Sequence, residues 1–501
     1  MFDKLRLKEK AGKIKESGPV VSPGQPPSIR EIYQSRRNYG VNLGSCFIQE
    51  KWIFHDLFHG NASCELELAG QLSKELGNEG ARSKLEEFWN GFVNEDDWKW
   101  LQDHEVTSVR VPLGYWNVGG GKFTKDTKFE KYASKVYGNS WTIFKSKFIE
   151  PAAAHGISVL VDIHGLPFGA NGADHSGEQS SGEAKFWENE SAQLQMLSLF
   201  SFIAEDLKGY DNIAGIQVVN ESVFADEPAK RQSTYYAAAI NSIREKDSTV
   251  PIIISDGWWP DQWVKWIQNH QDGRNLGVVI DSHCYRCFSD SDKNKSPKQI
   301  IEDLNKDLLT NLSSPGIDFV VGEYSCVLDG SSWNRDNAQQ DRDNLVIEYG
   351  KRQTSLIHER ASFGSYFWTF KFQSGNGGEW DFKTMTDKGA IGVPFSIKGK
   401  SLPDRSTFEQ KLNKCLEDHS NYWNNANPNE HYEHKRYKEG FTTGWSDANK
   451  FAEFNGSTIG RLEPWKNSRL AEHIGARGKS AFIWEWEQGF DAGIKEFLNS
   501  I

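Results

Sequence analysis

The chain has 501 residues, 37% of them hydrophobic, with 19 tryptophans and a formal net charge of −11. That composition is globular, with apolar residues enough for a large core and no run near the roughly 18 apolar residues that span a bilayer. The acidic balance speaks against a nucleic-acid partner, since phosphate binding needs a basic footprint.

The opening stretch MFDKLRLKEKAGKIKE is charged throughout and lacks the apolar segment of a secretory signal. The expectation is a cytoplasmic protein, with its six cysteines (46, 64, 284, 287, 326 and 415) reduced. Cys284 and Cys287 form a lone CxxC with no second pair or HxxxH to complete a metal set. Together with the loop-like SGPVVSPGQPPS, the start reads as an N-terminal extension over 1–37, solvated and frayed at its end.

Candidate strands then follow as NYGVNL (38–43), SVRVPLG (108–114), ISVLVDIH (157–164), AGIQVVNE (214–221), PIIISDG (251–257), GVVIDSHCY (277–285), DFVVGEY (318–324) and SYFWTFKF (365–372). Most are continuous apolar, β-branched runs, the pattern of strands buried on both faces. Helical spacing lies between them, as in FWENESAQLQMLSLFSFIAEDL and STYYAAAINSIREKD. Strands alternating with helices in this number predict one (β/α)8 barrel over 38–415, an α/β TIM-barrel fold.

Two inserts enlarge the barrel. CELELAGQLSKELGNEGARSKLEEFWNGF, after the first strand, reads as extra helix. GLPFGANGADHSGEQSSGE, after the third, is a Gly- and Ser-rich loop placed to line the mouth. Residues 416–501 read as a Trp-rich helical extension packed on the barrel, carrying two faintly similar pieces, YKEGFTTGWSDANKF and WEWEQGFDAGIKEF.

Chemistry is concentrated at strand ends. Glu221 closes GIQVVNE, Glu323 closes FVVGE and His164 closes SVLVDIH. Catalytic groups of a parallel barrel sit at the C-terminal ends of its strands. Two carboxylates there suit glycoside hydrolysis, in which one carboxyl gives a proton to the departing oxygen and the other attacks the anomeric carbon. Nineteen tryptophans fit both core packing and stacking on sugar faces. WWPDQWVKW after the fifth strand makes Trp258 and Trp259 candidates for a sugar-stacking rim or an apolar aglycone site. His164 and His283 alone are too few to favour a metal-dependent hydrolase, so no metal or organic cofactor is expected.

Taken in order, NYGVNLGSCFIQEKWI, SVRVPLGYW, VDIHGLPFGANGADHSG, IQVVNES, IDSHCYRCF, VVGEYS and SYFWTFKF resemble glycoside hydrolase family 5, within it the fungal exo-β-1,3-glucanase branch, over about residues 38 to 390. The resemblance implies Glu221 as acid/base and Glu323 as nucleophile. It also implies that Arg110 holds the nucleophile ionised and that His164 floors the sugar subsite. Asn220 would bond the sugar 2-hydroxyl, His283 and Tyr285 would touch the carboxylates, and Trp368 would stack on the sugar.

The secreted members of that branch carry Pro after the catalytic Glu and a Gly, Gly, Trp run in the first loop; here the positions are Ser222 and Ser45, Cys46 and Phe47. The expected activity is a retaining, exo-acting β-glucosidase on β-1,3-glucooligosaccharides. The alternatives are a cytosolic β-glucosidase for lipid or aryl glucosides and a non-catalytic carbohydrate-binding barrel. The expected partner is the carbohydrate or glucoside substrate, with no protein partner evident.

Overall fold

The computed structural model describes residues 2–178, 182–310 and 316–501. The expected runs close into a barrel of parallel strands in chain order: β1 (Asn38–Asn42), β2 (Ser108–Gly114), β3 (Ser158–Gly165), β4 (Ile213–Gln217), β5 (Ile252–Ser255), β6 (Val278–Arg286), β7 (Asp318–Leu328) and β8 (Gly364–Phe367). β8 returns to β1 through Asn38 opposite Gly364 and Val41 opposite Phe367. Leu160, Ala214, Ile253, Val279, Val320 and Tyr366 from the strands, with Phe363 just before β8, form one buried apolar cluster, while outer helices such as Glu190–Leu207 and Lys230–Arg244 bury their own apolar residues in the larger core. Burial of the strands by side chains on one face and helices on the other explains why they read as unbroken apolar runs.

The insert after β1 is a helix, Glu65–Phe92, kinked at Gly77, where φ is 74°. The mouth loop is described up to Glu178 and again from Gly182, so part of the predicted segment, 179–181, lies outside the described residues.

By internal contacts the chain makes two compact units. One comprises the residues up to Gly18 with Asn38–Pro394, the other Pro19–Arg37 with Phe395–Ile501. These divisions differ from the sequence expectation of 1–37, 38–415 and 416–501. The charged N-terminus is not a frayed end: it forms the helix Phe2–Ala11 in the barrel unit, where Leu7 and Ile14 are buried. Asn241 Nδ2 donates to the carbonyls of Lys10 and Ala11 at 2.9 and 3.2 Å. At the other end, the helix Arg405–Ala426 runs straight through position 415.

Helices make up most of the second unit: Ile29–Ser35, Arg405–Ala426, His434–Glu453, Leu462–Arg477 and Ile483–Asn499. The two similar sequence pieces lie on helices that pack on each other. A Cβ at Gly440 or Gly444 would meet the carbonyls of Trp486 or Phe490 at 2.0 and 2.2 Å, and one at Gly489 or Gly493 would meet those of Tyr437 or Phe441 at 2.1 and 2.2 Å. The shared motif is therefore a pair of glycines one turn apart on each helix, letting the backbones touch. Trp445, Trp465 and Trp486 fill the cores of this unit. Among the described residues no helix is long and apolar enough to cross a membrane.

Candidate active site

At the C-terminal mouth of the barrel lies a cavity of about 880 Å³, lined by Glu221, Glu323, His164, His283, Tyr285, Trp368 and Trp258 among the expected residues, and by Glu50, Trp52, His175, Phe288, Ser289 and Trp380 besides. Arg110 and Asn220 are fully buried behind this lining. Trp259 is not part of the lining; it stacks on Phe224, ring centroids 6.0 Å apart.

Arg110, on β2, organises the floor. Its Nη1 donates to Glu323 Oε1 at 3.0 Å and to Asn42 Oδ1 at 2.8 Å, its Nη2 to Asn220 Oδ1 at 2.7 Å, and its Nε to Gln217 Oε1 at 3.0 Å. Asp162 Oδ2 lies 3.0 Å from Nη2. Burial opposes the guanidinium charge, but Asp162, Glu323 and Asp281 outweigh it and make Arg110 a stronger base than usual. The second oxygen of Glu323 accepts from Tyr285 Oη at 2.8 Å. Both Glu323 oxygens thus face donors that keep their protons at neutral pH.

Glu221 sits beyond the end of β4 in a left-handed conformation, φ 43°. This is uncommon for a side chain with a Cβ and is the kind of local strain concentrated at functional sites. Its Oε1 lies 2.8 Å from His283 Nδ1 and its Oε2 3.1 Å from His175 Nε2. Burial favours the neutral acid, but the bonds to His175 and His283 prevail and hold the carboxyl well below its ordinary value. One oxygen of Glu221, one of Glu323 and a ring nitrogen of His283 all lie within 4.8 Å of one another.

His283 is pinned from behind. Its Nε2 is 3.1 Å from Asp281 Oδ2, and that carboxylate also accepts from Gln217 Nε2 at 2.7 Å and from the Gly322 amide at 2.7 Å. A Cβ at Gly322 would meet Asp281 Oδ1 at 2.3 Å, so the residue before Glu323 has no room for a side chain. Burial works against charge on His283, but Glu323 and Asp281 raise its pKa well above the ordinary histidine value. On the opposite wall His164 Nδ1 is 2.8 Å from Asp162 Oδ2 and its Nε2 3.2 Å from Asn220 Nδ2. The Trp368 ring lies nearly parallel to that of His164, 6.1 Å away.

Several of these groups went unassigned in the sequence. Asp162, Gln217 and Asp281 lie inside apolar strands, where inward-facing polar residues leave no periodic mark. Glu50, whose Oε2 accepts from Trp52 Nε1 at 2.8 Å, and His175 come from loops after β1 and β3. The signal for His175 was its place in ADHSG, within the loop predicted to line the mouth.

A sequence model described as Cellulase (glycosyl hydrolase family 5) matches residues 74–373, and one described as Glucan 1,3-beta-glucosidase 3 C-terminal domain matches 405–501. The chain is 38% identical, over 99% of its length and 98% of the relative's, to a Saccharomyces cerevisiae protein named an uncharacterized glycosyl hydrolase. It is 33% identical, over 92% of its length and 95% of the relative's, to glucan 1,3-beta-glucosidase 3 of Schizosaccharomyces pombe. The crystal structure of rutinosidase from Aspergillus niger shares the fold at a TM-score of 0.57 and 20% identity, covering 72% of this chain and 98% of that one. The barrel, the two carboxylates at its mouth and the family match over most of the barrel agree: the chain belongs to glycosyl hydrolase family 5.

Proposed function

We propose that the chain is a retaining, exo-acting β-glucosidase that releases glucose from the non-reducing end of β-1,3-glucooligosaccharides, with Glu323 as nucleophile and Glu221 as acid/base. The observation that carries the roles is the difference in donors. Glu323 is bonded by an arginine and a tyrosine, which do not give up protons at neutral pH and hold its two oxygens aimed. Glu221 is bonded by two imidazoles, side chains that, unlike a guanidinium, can give up and take back a proton.

The approach of the two carboxylates to within 4.8 Å supports retention, since retaining pairs stand about 5–5.5 Å apart and inverting pairs about 6.5–9.5 Å. In the first step Glu323 attacks the anomeric carbon, the glycosidic C–O bond breaks, and the aglycone oxygen takes a proton from Glu221. In the second, water loses a proton to Glu221 and displaces Glu323 from the sugar. Asn220, hydrogen-bonding the 2-hydroxyl, and Trp368, stacking on the ring, position the sugar above His164. The glucan substrate is supported by the name of the Schizosaccharomyces pombe relative and by the description of the C-terminal domain match.

A second reading is favoured by the rim. Trp52, Trp258 and Phe288 line the cavity while 51%, 54% and 63% exposed, and Trp380 sits 5.5 Å from Trp52 and 6.3 Å from Phe288. Aromatic surface left open at a cavity suits an apolar aglycone. A cytosolic setting is supported by the cysteines, all six free thiols. Hydrolysis of laminaribiose, a steryl glucoside and an aryl β-glucoside by the purified protein tests the proposal. The highest kcat/KM on laminaribiose is the expected result; the highest on the steryl glucoside supports the second reading, and no glucose from any of the three overturns both.

A further inference from the structure

An acid catalyst whose carboxyl is held ionised lacks the proton it must deliver. Glu221 is in that position, and the structure offers two imidazoles that could hold the proton for it. They are not equivalent. His283 is gripped by Asp281 at Nε2, and its Nδ1 lies 3.4 Å from Glu323 Oε2 as well as 2.8 Å from Glu221. Surrounded by three carboxylates, it keeps its charge through the reaction. His175 Nε2 touches one carboxylate, Glu221, and its buried Nδ1 has no hydrogen-bond partner among the described residues. His175 is thus hydrogen-bonded to one carboxylate where His283 lies against three, and its Nε2 proton is the one less firmly held.

We propose that the acid proton rests on His175 and is delivered through Glu221, the two side chains acting as one proton-holding pair. This rests on the reading of Glu221 as acid/base. As the glycosidic bond breaks, one proton passes from His175 Nε2 to the Glu221 carboxylate and on to the aglycone oxygen. The pair is left as neutral imidazole and carboxylate. When water attacks the glycosyl ester, its proton returns the same way and restores the imidazolium. His175 acts through Glu221 and is a positioning and proton-storing residue.

The groups facing His175 fit this role. Glu50, from the loop after β1, and Glu323, on β7, favour its charge, and the His164 ring on β3 stands edge-on at 5.4 Å. Asp174 is its neighbour in the mouth-loop turn Asp174–Ser176, and His283 opposes it across Glu221. Burial disfavours the imidazolium, but the bond to Glu221 and these carboxylates raise its pKa to about 9. The pair therefore keeps its proton into alkaline solution, where a lone Glu221 beside a charged His283 would have lost it.

The test is the pH dependence of kcat/KM for His175→Asn and His175→Gln, with laminaribiose as a poor leaving group and 2,4-dinitrophenyl β-glucoside as a good one. The alkaline limb for laminaribiose should move to lower pH by about one unit or more, with little change for the dinitrophenyl substrate. An unmoved limb overturns the proposal. So does a limb that moves to higher pH, because His175 would then be a fixed cation that merely keeps Glu221 ionised. Glu221→Ala separates this from the parent reading: equal loss on both substrates there removes Glu221 as acid/base, whereas a loss confined to laminaribiose keeps it. Should both variants fail to fold, nitrogen-15 NMR of the wild-type histidines decides. One imidazole losing its charge at the pH of the alkaline limb is expected, and none titrating there contradicts the proposal.

Discussion

The two sides of the cavity treat their carboxylates in opposite ways. On the β7 side, Glu323 is fixed by Arg110 and Tyr285, and Arg110 is itself locked by Asn42, Asp162, Gln217 and Asn220. On the β4 side, Glu221 is strained in its backbone, partly exposed, and bonded to histidines from two different elements. The hydrogen bonds on one side come from an arginine and a tyrosine and those on the other from two histidines, one of which, His283, also stands 3.4 Å from Glu323. A retaining glycosidase needs this inequality, because the nucleophile must not change protonation state while the acid/base must do so twice per turnover.

Breaking the Glu323 side should cost most. Glu323→Gln is expected to lower kcat by about 10⁴-fold or more, with far-ultraviolet circular dichroism unchanged, because the substitution preserves shape and removes only the covalent step. Glu221→Ala should be more selective, reducing turnover of poor leaving groups by about 10²–10⁴-fold while sparing formation of the glycosyl ester from activated aryl glucosides. Added azide should then restore turnover of the activated substrate.

Arg110→Met tests whether the guanidinium is structural as well as electrostatic. It strands Asp162 and Glu323 without their cation, and removing one partner of a buried ion pair costs about 3–5 kcal/mol, readable as a lower denaturant midpoint alongside lost activity.

The Glu221 side makes a prediction about pH and stability. The folded pKa of Glu221 lies below its unfolded value near 4.3, so its contribution is present above that pH and lost as pH falls through the folded value. The folded pKa of His283 lies above its unfolded value near 6.5, so its contribution is full below that pH and lost as pH rises through the folded value. The stability gap between wild type and His283→Gln should therefore be widest between about pH 4.3 and 6.5 and shrink at higher pH, measured by urea unfolding across the range.

How much of this was legible in the sequence follows from where each group lies. Strands buried on both faces announce themselves as apolar runs, and an acid that ends such a run stands out, so the barrel and the positions of Glu221 and Glu323 could be read directly. The strand expected over 214–221 stops at Gln217, and four residues on the backbone takes a left-handed conformation at Glu221. No local propensity marks that turn. The supports Asp162, Gln217 and Asp281 are hidden among the strand residues, and His175, Glu50 and Trp380 are brought to the mouth by loops whose path only tertiary structure sets. The division of the N-terminal 37 residues between two units was likewise invisible, since it depends on contacts with Asn241 in one unit and on the bridge from Arg36 to Ile459 in the other.

The smallest effect belongs to the rim, which neither side of the comparison uses for chemistry. Trp258→Ala should change the preference between laminaribiose and an aryl glucoside by roughly three- to tenfold, the worth of about 0.5–1.5 kcal/mol for an aromatic contact, and leave kcat on the preferred substrate nearly intact.

The division of roles between the two carboxylates is tested most directly by trapping the enzyme with an activated 2-deoxy-2-fluoro-β-glucoside and locating the ester by peptide mass spectrometry. The sugar is expected on Glu323. An ester on Glu221, or on neither residue, would contradict the assignment of the carboxylate bonded by arginine and tyrosine as nucleophile and the one bonded by histidines as acid/base.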